Sequence, residues 1–133
     1  RGERFLDHPA ILKGNNDLLS ITQPEIIKGI HRDYFDAGAD IVETNTFSST
    51  SIGMADYEME NLAYELNYES AKIAKEVGQE YLEKTPDQAR YVAGSIGPTN
   101  KTASMSPDVN DPGYRAITFD ALVTTIVSKL MDL

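Results

Sequence analysis

Two segments of this chain share one design: a short run rich in β-branched residues that stops abruptly in polar, hydrogen-bonding ones. The first is Ala39-Asp-Ile-Val-Glu-Thr-Asn-Thr-Phe47, and the second is Arg90-Tyr-Val-Ala-Gly-Ser-Ile-Gly-Pro-Thr-Asn100. Each is followed by a helical pattern, which implies parallel strands of an α/β fold joined by crossover helices. Ligands in such folds bind outside the carboxyl ends of the strands, so both polar endings should open onto one face.

The rest of the chain fits around these strands. Residues 1–21 lack a sustained period and hold turn clusters at Asp7-His8-Pro9 and Lys13-Gly-Asn-Asn-Asp17, which predict a long loop. Thr22-Gln-Pro-Glu25 has the form of a capping box with Thr22 as N-cap. A helix should start there, bury the stripe Ile26, Ile27, Ile30, Tyr34 and Ala37, and end at Gly38 in a left-handed C-cap. A strand over 40–46, a polar turn at Ser48-Ser-Thr-Ser51 and a long helix within 57–84 follow, its stripe being Leu62, Leu66, Ile73, Val77 and Tyr81. A last helix begins near Thr118 with Leu122, Ile126, Leu130 and Leu133 in line.

Loop lengths carry information too. Lys84-Thr-Pro-Asp-Gln88 is a short connection into the second strand, whereas Gly97 to Ile117 is long and without period. In a β/α barrel this places 1–21, 47–56 and 97–117 on the catalytic rim. The expected architecture is one α/β domain over 1–133: an incomplete TIM-type (β/α)8 barrel with about two parallel strands and three flanking helices. Two strands leave two open edges, so unless another chain or further residues cover them and the outward apolar helix faces, the piece should form a homo-oligomer, pair edge to edge or remain loosely packed.

Composition narrows the partners. Twelve Lys and Arg against twenty-one Asp and Glu give a formal charge of -9, which would repel a nucleic-acid backbone or an anionic membrane. No apolar run is long enough for a membrane helix and no signal-peptide core opens the chain, which predicts a cytoplasmic protein. With no cysteine, disulfides, thiolate metal sites and a cysteine nucleophile are excluded within these residues. The absent initiator Met, and a helical pattern that reaches Leu133 without a stop signal, predict a piece of a longer protein.

Glu43, Thr44, Asn45 and Thr46 are the leading site candidates, because a strand end carries its side chains into the ligand crevice. Glu43 could bind a substrate ammonium, act as a general base, or simply pair with a neighbouring Lys or Arg. Asn45 could fix an amino-acid carboxylate or amide. Gly94-Ser-Ile-Gly-Pro-Thr-Asn-Lys-Thr102 holds the ingredients of a phosphate loop, but Asn100 rather than Gly precedes Lys101 and no helix opens there. Gly94 and Gly97 instead let the backbone approach a ligand while Pro98 fixes the turn. Asn100-Lys-Thr102 is a glycosylation sequon, which has no meaning in the cytoplasm. His31 reads as a solvated surface residue and His8 as a rim-loop residue, so no metal site is assembled from imidazoles. The acidic runs at 56–60 and 76–83 read as helix surface.

Taken together, Arg1-Gly-Glu-Arg-Phe5, Lys13-Gly-Asn-Asn-Asp17, Leu19-Ser-Ile-Thr-Gln-Pro24, Ala37-Gly-Ala-Asp40, Glu43-Thr-Asn-Thr-Phe-Ser-Ser-Thr-Ser51 and Gly97-Pro-Thr-Asn-Lys-Thr102 resemble the cobalamin-dependent methionine synthases, in their N-terminal homocysteine-binding module. The resemblance implies methyl transfer from methylcobalamin, recharged by methyltetrahydrofolate, to the sulfur of homocysteine. It implies cobalamin and zinc in the parent enzyme, and as partners homocysteine and the remaining folate, cobalamin and activation domains. The zinc of that family is held by three cysteines of late barrel strands, which lie outside this chain, so no cofactor is expected on the fragment and it should be inactive alone. Carried over as pocket or rim are Thr44, Asn45, Thr46, Phe47, Gly94, Ser95, Gly97, Pro98 and Thr99, with Glu43 beside them. Ser48 stands where a betaine-dependent relative offers a tyrosine near the zinc, and Thr124-Thr-Ile-Val-Ser128 departs from the Gln/Ala-rich helix of the family.

Overall fold

A two-stranded parallel sheet organises the computed structural model, which describes residues 2–133. Strands β1 (Ile41–Glu43) and β2 (Tyr91–Ala93) lie with Ile41 opposite Tyr91, Val42 opposite Val92 and Glu43 opposite Ala93. Both expected strands are present and parallel, but β1 is shorter than 40–46. After Thr44 N–H bonds the Ala93 carbonyl at 2.9 Å, Thr46 N–H turns back to the Thr44 carbonyl at 2.9 Å, and the chain leaves the ladder.

The helices are α1 (Leu19–Thr22), α2 (Pro24–Asp36), α3 (Ser51–Met54), α4 (Ala63–Lys84) and α5 (Phe119–Asp132), with 3-10 turns at Glu3–Phe5, Ala55–Tyr57 and Glu60–Leu62. The expected long loop over 1–21 is therefore broken by helical turns, and it brings Phe5, Leu12 and Leu18 into a core with Met54, Met59 and Leu66. A second core joins Phe35, Val42, Val77 and Tyr81, with Val92 against it. The α4 stripe spans both: Leu66 serves the upper core, and Val77 and Tyr81 the lower one.

Three local expectations need correction. The capping box does not form. Thr22 closes the last turn of α1, its hydroxyl donating to the Leu18 carbonyl at 3.2 Å, and Gln23 takes the cap position without a side-chain bond. The buried face of α2 is Ile27, His31 and Phe35, while Ile26, Ile30 and Tyr34 are exposed. Two apolar stripes lie side by side on this helix, and the one that meets α4 and the sheet includes the histidine. His31 is thus a core residue, not a solvated one. In α5 the buried residues are Thr125 and Lys129, whereas Ile126 and Leu130 stay exposed, because this helix touches the domain along a narrow contact with α4 and the β1 end.

Other features follow the sequence closely. Gly38 has φ 98°, and the bonds from Gly38 N–H to Phe35 and Ala39 N–H to Tyr34, both 3.0 Å, close α2 as a Schellman motif. Thr118 caps α5 by accepting from Ala121 N–H at 3.2 Å. Ion pairs Lys28 to Glu76 and Arg32 to Glu80 tie α2 to α4, and each is solvent-accessible and therefore worth about 0.5 kcal/mol. Among the described residues each strand has only one partner, so the outer edges of β1 and β2 are both open. No described helix is long and apolar enough to cross a membrane.

Candidate active site

The two strand ends meet, as the parallel arrangement requires, and they are joined by side chains. Thr44 and Thr46, both buried, sit with hydroxyl oxygens 2.7 Å apart. Thr44 Oγ1 accepts from Ser95 N–H at 3.0 Å, and Thr46 Oγ1 donates to the Ser95 carbonyl at 2.8 Å, so the pair reads both polar groups of one β2 residue. Phe47 and Gly97 form the next link. Gly97 N–H donates to the Phe47 carbonyl at 3.1 Å, and a Cβ on Gly97 would stand 2.5 Å from that oxygen and 2.9 Å from the ring. The glycine is thus needed for the approach of one strand end to the other.

The turn after β1 is gripped from two further directions. Asp17, buried in the N-terminal segment, accepts through Oδ2 from Ser48 N–H at 2.7 Å and from the Ser49 hydroxyl at 2.8 Å. Lys129 reaches in from α5, and its ammonium donates to the Thr46 carbonyl and, at 3.4 Å, to that of Phe47. Burial lowers the Lys129 pKa from the usual lysine value, and the nearby Asp17 charge opposes that shift. Asn45 is bound to the same segment: its Nδ2 donates to the Asn16 carbonyl at 3.0 Å and to Ser20 Oγ at 3.1 Å, while Ser70 Oγ donates to the Asn45 carbonyl at 3.2 Å.

Between these parts lies a cavity of about 260 Å³ lined by Gly14, Asn15, Asn16, Asp17, Asn45, Phe47, Ser48 and Tyr57. The residues anticipated from the sequence divide around it. Asn45 and Phe47 line it; Thr44, Thr46, Ser95 and Gly97 support it from below and beside. Glu43 is exposed on the open side of β1 in a second groove, which Thr44 and Asn45 also line together with Ile30, His31, Tyr34 and Ile41, and it has no ion-pair partner among the described residues. Gly94 faces Leu133, whose Cδ1 would lie 3.0 Å from an added Cβ. Pro98 is exposed, and among the described residues Thr99 bonds only locally, to the Lys101 carbonyl at 2.7 Å. Sequence reading missed Asp17, Tyr57 and Lys129. Asp17 stood inside a turn cluster and the other two on helical surfaces, and only long-range contacts bring them to the rim.

Fold and rim together define an α/β protein whose candidate site is built where parallel strands end. The chain belongs to the homocysteine S-methyltransferase family, whose profile matches residues 3–130. It is similar to the metallated form of the homocysteine methyltransferase MmuM from Escherichia coli, with 26% identity and a TM-score of 0.68 over 86% of this chain and 40% of that one. The oxidised form of the same enzyme aligns at 32% identity and TM-score 0.55 over 60% of this chain and 28% of that one. The chain therefore spans less than half the length of the solved relative.

Proposed function

We propose that this chain is the part of a homocysteine S-methyltransferase barrel that shapes the rim of the amino-acid pocket, and that its parent is a cobalamin-dependent methionine synthase. The family match and the convergence of both strand ends on one polar rim carry the first statement. The ordered motifs from Lys13-Gly-Asn-Asn-Asp17 to Gly97-Pro-Thr-Asn-Lys-Thr102 support the second. In this reading residues 1–133 are a partial barrel, and the open edges of β1 and β2 are where further strands belong.

The zinc that the family resemblance implies does not fit the residues present. The chain has no cysteine, and among the described residues no three His, Asp or Glu side chains gather as a metal cage. What these residues can do is bind and orient. The Thr44, Thr46 and Ser95 network fixes the strand ends, Asn45 holds the 16–20 segment against them, and Phe47 presents an apolar wall to the substrate.

The test is methyl transfer by the full-length product of the reading frame that contains this sequence, given homocysteine and either methylcobalamin or another methyl donor. Methionine formed from methylcobalamin is expected. Methionine formed only from a different donor would keep the family and overturn the cobalamin branch. The 133 residues alone should form no methionine. A second reading rests on the exposed Ile30, Tyr34 and Ile41 beside β1 and Tyr91 and Leu130 beside β2: the isolated chain self-associates through its strand edges. Sedimentation showing a monomer at every concentration would remove it.

A further inference from the structure

Two buried charges face the turn after β1 from opposite sides without meeting. Asp17 is 6% exposed and Lys129 2%, and among the described residues no ion pair joins them. A single peptide group stands between them, the one shared by Phe47 and Ser48. Its N–H donates to Asp17 Oδ2 at 2.7 Å, and its carbonyl accepts from Lys129 Nζ at 3.4 Å and from Gly97 N–H at 3.1 Å. The N–H and C=O of a trans peptide point in opposite directions, so the anion and the cation lie at the two ends of one dipole, each at the end it stabilises. Neighbouring groups extend the pattern: Asp17 also takes the Ser49 hydroxyl at 2.8 Å, and Lys129 also bonds the Thr46 carbonyl. Burying both charges is costly, and neither is offset by direct contact with the other. The Asp17 charge nonetheless favours the ammonium form of Lys129 against its burial. Phe47 and Ser48, the two residues this plane orients, both line the rim cavity.

We infer that Asp17 and Lys129 form a charge clamp across the Phe47–Ser48 peptide, and that Lys129, which lines no part of the cavity, is a positioning residue for the pocket. The identity of the pocket rests on the proposed function; the clamp does not. It makes the two charges interdependent, and each is felt at the end of the peptide it does not touch. A lysine that only filled space with its stem would have neither property. Lys129→Met keeps the stem and removes the charge. Asp17→Asn removes the opposite charge and keeps an oxygen that can accept from Ser48 and Ser49.

The test is amide hydrogen exchange of the 133-residue chain, read by NMR. In K129M the Ser48 amide, which Lys129 does not touch, should exchange about tenfold faster, the size of one net hydrogen bond, while the Thr44 and Tyr91 amides of the strand ladder keep their wild-type rates. In D17N the Gly97 amide, which Asp17 does not touch, should quicken likewise. The double variant should exchange more slowly at both amides than the product of the single effects, because the second change removes a charge that the first left without its counterpart. Unchanged Ser48 exchange in K129M, or equal acceleration of every amide, would make Lys129 a packing residue and overturn the clamp. Should K129M not fold, Gly97 in D17N decides: faster exchange sustains the clamp and an unchanged rate overturns it. The positioning role is read in methyl transfer by the full-length enzyme, where K129M should raise KM for homocysteine about threefold and leave kcat within about twofold. An unchanged KM overturns that role. If the enzyme methylates no thiol in any form, the functional reading has failed by itself, and the exchange rates still decide the clamp.

Discussion

The two strand ends are built from similar residues yet held very differently. The end of β1 is gripped by the Asp17 carboxylate on the Ser48 amide and the Ser49 hydroxyl, by the Lys129 ammonium on its carbonyls, and by Ser95 and Gly97 from the side. The end of β2 leans on β1 through Ser95 and Gly97. Beyond Gly97 it is held by local bonds and by Asn100, whose Nδ2 donates to Asp56 at 2.8 Å. One end is scaffold, fixed by contacts from the N-terminal segment and from α5. The other is an exposed lip, positioned mainly by the first.

The largest effect that tests this contrast comes from Asp17. Asp17→Ala leaves the Ser48 amide and the Ser49 hydroxyl without their acceptor in a buried place, which should cost about 3 kcal/mol in urea unfolding. Thr99→Ala, on the lip of β2, should cost less than about 0.5 kcal/mol. Similar losses from the two changes would show that the ends are not unequal.

Next in size is Gly97→Ala, expected to cost about 2 kcal/mol because the new methyl meets the Phe47 carbonyl and ring at distances that require backbone movement. Gly94→Ala meets only the flexible tip of Leu133 and should fall within about 0.5 kcal/mol. Smaller still are Thr44→Val and Thr46→Val, about 1 kcal/mol each. Because both hydroxyls serve Ser95 and touch one another, the double variant should depart from additivity by about 0.5 kcal/mol or more. Strict additivity would mean that Ser95 is held by something else.

Much of this arrangement was legible beforehand, and the gaps have physical causes. The parallel strands, the Gly38 cap and the α4 stripe each express a local rule: β-branched runs ended by turn residues, a φ that glycine adopts freely, and a sustained helical spacing of Leu66, Ile73, Val77 and Tyr81. The misread helices are those with more than one apolar face. On α2, Ile26, Ile30 and Tyr34 look as hydrophobic as Ile27 and Phe35, and which set is buried depends on where α4 lies. On α5 the contact is narrow enough for a lysine to be the most buried side chain. The grip of Asp17 on Ser48 joins residues far apart in sequence, and no local pattern announces it.

A pH response distinguishes the rim from the layer beneath it. His31 is buried on α2 beside Ile41 and Val42 of β1, its Nε2 has no hydrogen-bond partner among the described residues, and burial lowers its pKa below the ordinary 6.5. A base with a depressed pKa in the folded state binds its proton more readily when unfolded. Stability should therefore be undiminished above about pH 6.5 and fall as the pH drops from there toward the folded-state pKa. Asp17→Asn leaves this acid-side loss in place, because Asp17 lines a different cavity from the imidazole, whereas His31→Leu should remove it while leaving the Asp17 effects intact. The measurement is the urea midpoint of the wild type and of both variants at about pH 7.5 and about pH 5, read as differences so that His8 and the carboxylates common to all three cancel. An acid-side loss of equal size in His31→Leu would place its origin in the carboxylates, and would mean that the histidine core is less dry than its packing indicates.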